Sequence, residues 1–149
     1  MDIEKVIKQN KFQNSYHKAM INLIYTSNYF RDSHMSVFKP YDIQSQHFNI
    51  LRILNGRHPE PATPGYIKEV MLDKGRDLTR LIDKLESMGL VQRTMCPENK
   101  RKIHINLTSE GLEKVDIISS RLDAQYDKMK YLSEEEYEQL SRLLDKMRG

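Results

Sequence analysis

Cysteine is almost missing from this chain: Cys96 is the only one in 149 residues. That excludes an intramolecular disulfide framework and any zinc site built on several thiolates. It also suits a reducing compartment. Tryptophan is absent, and six glycines and five prolines are too few for a low-complexity or collagen-like chain. No apolar run approaches the roughly 18–20 residues that cross a bilayer. The segment Met1 to Lys5 carries charges of both signs and leads into no apolar stretch, so no signal peptide is expected and the protein is expected to be cytoplasmic. There is no Gly-rich phosphate cradle and no legible Ser/His/Asp grouping, so the sequence does not read as an enzyme. His17, His34, His47, His58 and His104 form no tight ligand pattern, and neither a metal nor a cofactor is expected.

What is present is charge, unevenly placed. The chain is 38% hydrophobic and 30% charged with a formal net charge of +3, a balance that favours long, half-exposed helices in a single domain spanning residues 1–149. From Lys74 to Lys102 there are eight Lys/Arg against four Asp/Glu, whereas from Glu110 to Gly149 there are seven against ten. One stretch is basic and the C-terminal part is acidic.

Periodicity divides the chain. Residues 1–35 read as helix, with Phe12, Tyr16, Met20, Leu23 and Ile24 forming a stripe at three- and four-residue steps. A break is expected at Ser36 to Tyr41, around Pro40. The next helix turns Phe48, Leu51 and Leu54 inward and is expected to stop at Gly56. Residues 56–65 form a loop holding three of the five prolines. Thr63 and Pro64 make an N-cap and N1 pair for a short helix with Ile67, Val70 and Met71 on its apolar face. Asp73, Lys74 and Gly75 form a turn. The spacing then predicts a helix over 76–88, with Leu78, Leu81, Ile82 and Leu85 inward and Gly89 at the C′ position. Beyond it the period becomes two: Leu90 to Arg93 and Ile103 to Leu107 read as paired strands around a tip at Cys96-Pro97-Glu98-Asn99. Thr108 caps a helix striped by Leu112, Val115, Ile118, Leu122, Tyr126 and Met129. Ser133 to Glu136 is a capping box for a last helix carrying Tyr137, Leu140, Leu144 and Met147.

Helix, helix, turn, helix, strand, loop, strand is the order of a winged helix-turn-helix. The fold is therefore expected to be mainly α with a small β-wing, its DNA-binding lobe at 43–108. A helix docked by one face can offer the other to the major groove, where base edges carry distinguishable donors and acceptors. The candidate DNA-contact set is Thr63, Arg76, Asp77, Thr79, Arg80, Lys84, Lys100, Arg101 and Lys102. Its last three members form a basic loop suited to flanking phosphates or a narrow minor groove. The bland alternative for Arg76, Arg80 and Lys84 is a solvated helix face. Asp83 reads as a residue that pairs locally or tunes repulsion, with direct base contact a minor alternative, and the acids Asp83 and Glu86 as an exposed, solvated pair. The apolar stripes at 1–35 and 109–149 can be read as monomer core, but they are long for a chain of this size and burial by a second copy is the preferred reading. Met20, Met35, Met71 and Met88 read chiefly as core fillers, with an adaptable pocket as the alternative.

The stretch Leu78-Thr79-Arg80-Leu81-Ile82-Asp83-Lys84-Leu85-Glu86-Ser87-Met88-Gly89-Leu90-Val91 resembles the MarR family of bacterial transcriptional regulators. So do Lys100 to Gly111, similar to that family's wing and the start of the next helix, and His47 to Leu54, similar to the helix before its reading motif. The resemblance implies a homodimer joined through the N- and C-terminal helices. It also implies a pseudo-palindromic operator in double-stranded DNA, most often under repression. Many members release DNA when a small phenolic or lipophilic effector, or an oxidant, occupies the cleft between the dimerisation and DNA-binding parts. Two features depart from the family pattern. Asn99 stands where the wing usually has an acidic residue, and the loop at 56–63 is longer and richer in proline. Lys100 and Arg101 near Cys96 can favour a thiolate, but peroxide-sensing members carry their cysteine near the N-terminus. Zinc-sensing members carry a His-x3-His pair that this chain lacks. The competing reading from another class is a winged-helix module that meets an acidic protein and binds no DNA.

Overall fold

The computed structural model describes residues 1–75, 77–99 and 102–149. Among the described residues, seven helices and one two-stranded sheet follow one another: α1 (Ile3–Val6), α2 (Ser15–Phe38), a 3-10 turn (Lys39–Tyr41), α3 (Ser45–Arg57), α4 (Pro64–Val70), α5 (Leu78–Ser87), β1 (Val91–Met95), β2 (Ile103–Leu107), α6 (Ser109–Asp127) and α7 (Glu134–Arg148). The fold is mainly helical with a small antiparallel wing, as the sequence predicts. Several boundaries move. The first 35 residues are not one helix, because Asn14 caps a fresh start by accepting from the His17 N–H at 2.9 Å. The expected break at Ser36 begins three residues later, where Pro40 forces the 3-10 turn and Asp42 closes it at φ +53°. Gly56 does not stop α3, which runs one residue beyond it to Arg57.

One core holds the middle of the chain. Ile50, Leu51, Ile67, Leu85, Ile105 and Ile118 are almost wholly buried and bring α3, α4, α5, β2 and α6 together. Met71 is buried in that core and Met88 packs against it, whereas Met35 is exposed. Val70, expected inward, is exposed as well. The strands pair Val91 with Leu107, Arg93 with Ile105 and Met95 with Ile103, so β1 reaches two residues further than its alternation suggests. The Pro-rich loop has a structural task. Ala62 donates to the Ile105 carbonyl at 3.0 Å and accepts from its N–H at 2.8 Å, adding a one-residue third rung to the wing. Both groups would otherwise be orphaned beside a buried side chain. Arg57 steadies the same loop, donating through Nε to the Pro61 carbonyl at 3.3 Å, with its guanidinium 4.5 Å from the Tyr66 ring centre.

The ends of the chain differ from the middle. The apolar stripe on α2 is largely open in the single chain: Tyr16, Leu23 and Ile24 are all exposed, as are Tyr25, Tyr29 and Phe30. Helix α7 buries no residue at all. Its capping box at Ser133 and Glu136 is formed as expected, and the Tyr137 hydroxyl accepts from the Tyr131 N–H at 3.2 Å. No described helix is long and apolar enough to cross a membrane.

Candidate nucleic-acid interface

Helix α5 is built to show one face. Leu81, Ile82 and Leu85 are buried and Leu78 packs against them, so the remaining positions must point outward. Asp77 starts the helix, accepting from the Arg80 N–H at 3.3 Å. Gly89 ends it at φ +72°, a backbone that costs glycine little. The preceding turn is tied down by Asp73, which accepts from the Gly75 N–H at 3.1 Å and from Gln46 Nε2 at 3.1 Å.

The expected contact residues divide into groups. Asp77, Thr79 and Arg80 sit together at the start of α5. The Arg80 side chain is 87% exposed and, among the described residues, is held only by a long 3.4 Å pair to Asp77, so it can reach outward. Lys84, one turn on, is committed elsewhere: its Nζ lies 3.0 Å from Asp42 Oδ2 at the α2–α3 junction. Thr63 is used as the N-cap of α4, accepting from the Tyr66 N–H at 3.2 Å. Lys102 closes the wing loop through its backbone, donating to the Asn99 carbonyl at 2.8 Å and accepting from the Cys96 N–H at 2.9 Å. Its side chain is exposed. Arg76, Lys100 and Arg101 lie outside the described residues.

One residue of the site was not singled out by the sequence pattern. Arg93 in β1 forms ion pairs through Nη1 to Glu86 and through Nη2 to Asp83, and its backbone N–H donates to Glu86 Oε1 at 3.0 Å. Asp83 is thus a local ion-pair partner, as expected. The reading of Asp83 and Glu86 as merely solvated is corrected, because both close on one guanidinium. Partial burial opposes the Arg93 charge, but hydrogen bonds to the two carboxylates outweigh it and hold the group above the ordinary arginine range. The available signal was the spacing: two acids three apart on an outward helical face, and an arginine in the middle of the strand that follows.

Behind α5 a cavity of about 1000 Å3 opens between α2 and α3. Phe30, Met35 and Phe38 supply apolar wall, and His34, Arg31 and Lys84 supply polar edges. His47 also lines it and is the one buried polar side chain among the described residues. Burial pushes its pKa down, the Lys84 charge adds to that, and Asp42 opposes it. His47 Nδ1 also accepts from the Gln44 N–H at 3.1 Å, which requires a lone pair there. The unfolded chain therefore binds the proton more readily than the folded one. Stability is full above the ordinary histidine value near 6.5 and is lost as pH falls below it. Urea titrations from about pH 7.5 down to pH 5 are expected to show this decline. His47→Gln is expected to flatten it partly, since burial also lowers the His34 pKa. An unchanged slope in that variant would place the proton elsewhere.

Residues 43–103 match the MarR family model. Over 115 residues the chain is 30% identical to the HTH-type transcriptional regulator PapX of Escherichia coli, covering 74% of this chain and 70% of that protein. The chain belongs to the MarR family. Solved structures agree with that membership. The MarR transcription factor from Planctomyces limnophilus superposes with a TM-score of 0.70 at 29% identity, over 91% of this chain and 98% of that one. The S. aureus MepR–DNA complex superposes at 0.75 with 26% identity, over 92% and 97%. These relatives are transcription regulators, and in this MarR-family chain α4, α5 and the β1–β2 wing form a winged helix-turn-helix, of which the family-model match covers all but the last four residues of β2. The described residues hold no group of three or more His, Cys, Asp or Glu able to bind a metal.

Proposed function

We propose that this MarR-family chain is a homodimeric regulator that reads a pseudo-palindromic operator in double-stranded DNA and acts as a repressor. Residues 43–108 form the DNA-binding lobe, and 1–35 with 109–149 supply the dimerisation helices. The observation that carries the reading is the first turn of α5: its inner face is sealed in the core while Thr79 and Arg80 stand in the open beside a β-wing. Each subunit places that turn in a major groove, the two centres about 34 Å apart. Lys100, Arg101 and Lys102 hold the wing over flanking phosphates, which supply affinity, while α5 supplies sequence preference. Asp77 frames the entry of the helix and Thr63 that of α4, and Arg76 adds a further contact to the duplex. Lys84 reaches DNA only by leaving Asp42. A small lipophilic or phenolic effector occupies the cavity lined by Phe30, Met35 and Phe38 and releases the operator. No membrane takes part.

A mobility shift with random duplex at two salt concentrations tests this against a protein-interaction module that binds no DNA. Even a sequence-specific regulator shows weak, salt-sensitive binding to random DNA; none at low salt favours the module. Selection of bound fragments from genomic DNA then gives the operator. On that site Arg80→Ala is expected to cost about 1–3 kcal/mol and relax one position. An equal loss on random duplex would reduce Arg80 to a backbone contact. Arg101→Ala is expected to make the slope of log K against log salt shallower by about one; an unaltered slope argues against a phosphate-bound wing.

A further inference from the structure

Asp83 and Glu86 pose a problem for any reading in which α5 approaches DNA. They sit on the outward side of the helix, 56% and 39% exposed, about one and two turns past Arg80. A duplex carries one negative charge about every 1.7 Å along its axis, so bare carboxylates there would repel it. The nearby cations do not attend to them: Arg80 pairs with Asp77 and Lys84 with Asp42. Among the described residues both acids form their ion pairs with Arg93 alone. The contact looks unnecessary as cement. The carboxylate ends of these pairs are open to water, where an ion pair contributes little stability, and β1 is already fixed by its ladder with β2. What Arg93 does achieve is to cover two carboxylates with one guanidinium, each nitrogen meeting a different acid.

We propose that Arg93 is a positioning residue for DNA binding, masking Asp83 and Glu86 so that the outer face of α5 can approach phosphates. This rests on the DNA-binding reading above. The mask explains how a reading helix tolerates two acids on its open side, and why the covering residue comes from the wing, the element that must arrive at the duplex together with α5.

The test uses the full chain and a labelled random-sequence duplex followed by fluorescence anisotropy. Thermal melts confirm that each variant is folded. Arg93→Gln is expected to bind about tenfold more weakly at low ionic strength, the deficit shrinking as salt screens the uncovered acids. Arg93→Lys, which keeps the charge, retains most of the affinity. The triple variant R93Q/D83N/E86Q recovers binding, whereas R93Q/D123N/E138Q, which removes two exposed acids from α6 and α7, does not. The proposal is overturned if Arg93→Gln binds like the wild type, if the triple variant stays as weak as Arg93→Gln, or if the distant neutralisations rescue equally. A wild-type chain that ignores the duplex overturns the DNA-binding reading first, before any variant is compared.

Discussion

Gly111→Ala is expected to lower the unfolding free energy by about 3 kcal/mol, at the upper end of overpacking effects. Gly111 is buried in the first turn of α6. A Cβ placed on it would stand 2.0 Å from the Leu90 carbonyl oxygen and 3.0 Å from Leu107 Cδ2. The nearer atom is backbone, and it is pinned. The Leu90 carbonyl accepts from the Thr108 N–H at 3.1 Å, while the Leu90 N–H donates to the Leu85 carbonyl at 3.0 Å. Relief requires α6 to lift off, which also pulls Thr108 from its cap on the Gly111 N–H. At about 2–4 °C per kcal/mol for a chain of this size, the melting temperature falls by roughly 6–12 °C. Gly56→Ala is the matched control. It lies within α3 with nothing inside 4 Å of the added carbon, and the same methyl there is expected to stabilise by about 0.5–1 kcal/mol. Opposite signs at the two glycines, read by thermal melts, are the required result. A Gly111→Ala chain that melts with the wild type would mean that α6 does not seat on the Gly89–Leu90 turn.

That seat explains part of what the sequence could and could not disclose. The elements of the lobe were legible because their signals are local. Thr63-Pro64 starts α4, the 78, 81, 82, 85 spacing sets the buried face of α5, Gly89 ends it, and alternation at 103–107 marks β2. Errors fell where a distant contact decides the outcome. Ala62 joins the wing through Ile105, forty-three residues away in sequence, so the Pro-rich loop carried no local sign of its role. Gly56 looked like a stop because glycine often ends helices, but here the His58 N–H reaches back to Asn55 and the helix simply continues past it. In the candidate site, the exposure of Arg80 follows from its place on an outward turn. The Lys84–Asp42 pair does not, because Asp42 comes from a left-handed turn between α2 and α3. Arg93 was missed because its signal, two helix acids followed by a strand arginine, spans two elements with different periods, and only the folded chain brings it to Asp83 and Glu86.

Leu140→Asp with Leu143→Asp is expected to split the proposed dimer and weaken operator binding by about 10²-fold or more, with the fold of the DNA-binding lobe intact. Helix α7 has a continuous apolar face, Leu140, Leu143 and Met147, with every member exposed in the single chain. Tyr16, Ile24 and Tyr29 of α2 are likewise bare. Side chains of this size are left in water only when another surface covers them, and a symmetric pair does so with one set of residues used twice. The energetic consequence reaches the DNA. Once one lobe of a dimer is bound, the second meets its half-site at an effective concentration set by the linkage, so the two affinities multiply; separate subunits forfeit that gain without losing any contact to a half-site. The variant should therefore run in light scattering at the chain mass of 17.7 kDa where the wild type runs at twice that value. It should keep a cooperative melt, because neither leucine is buried in the core, and retain weak, salt-sensitive affinity for random duplex. Loss of random binding along with the operator would point to a damaged lobe. A wild-type chain that already runs as one subunit at micromolar concentration would remove the proposed dimer, and with it the reason two copies of α5 should meet successive turns of one groove.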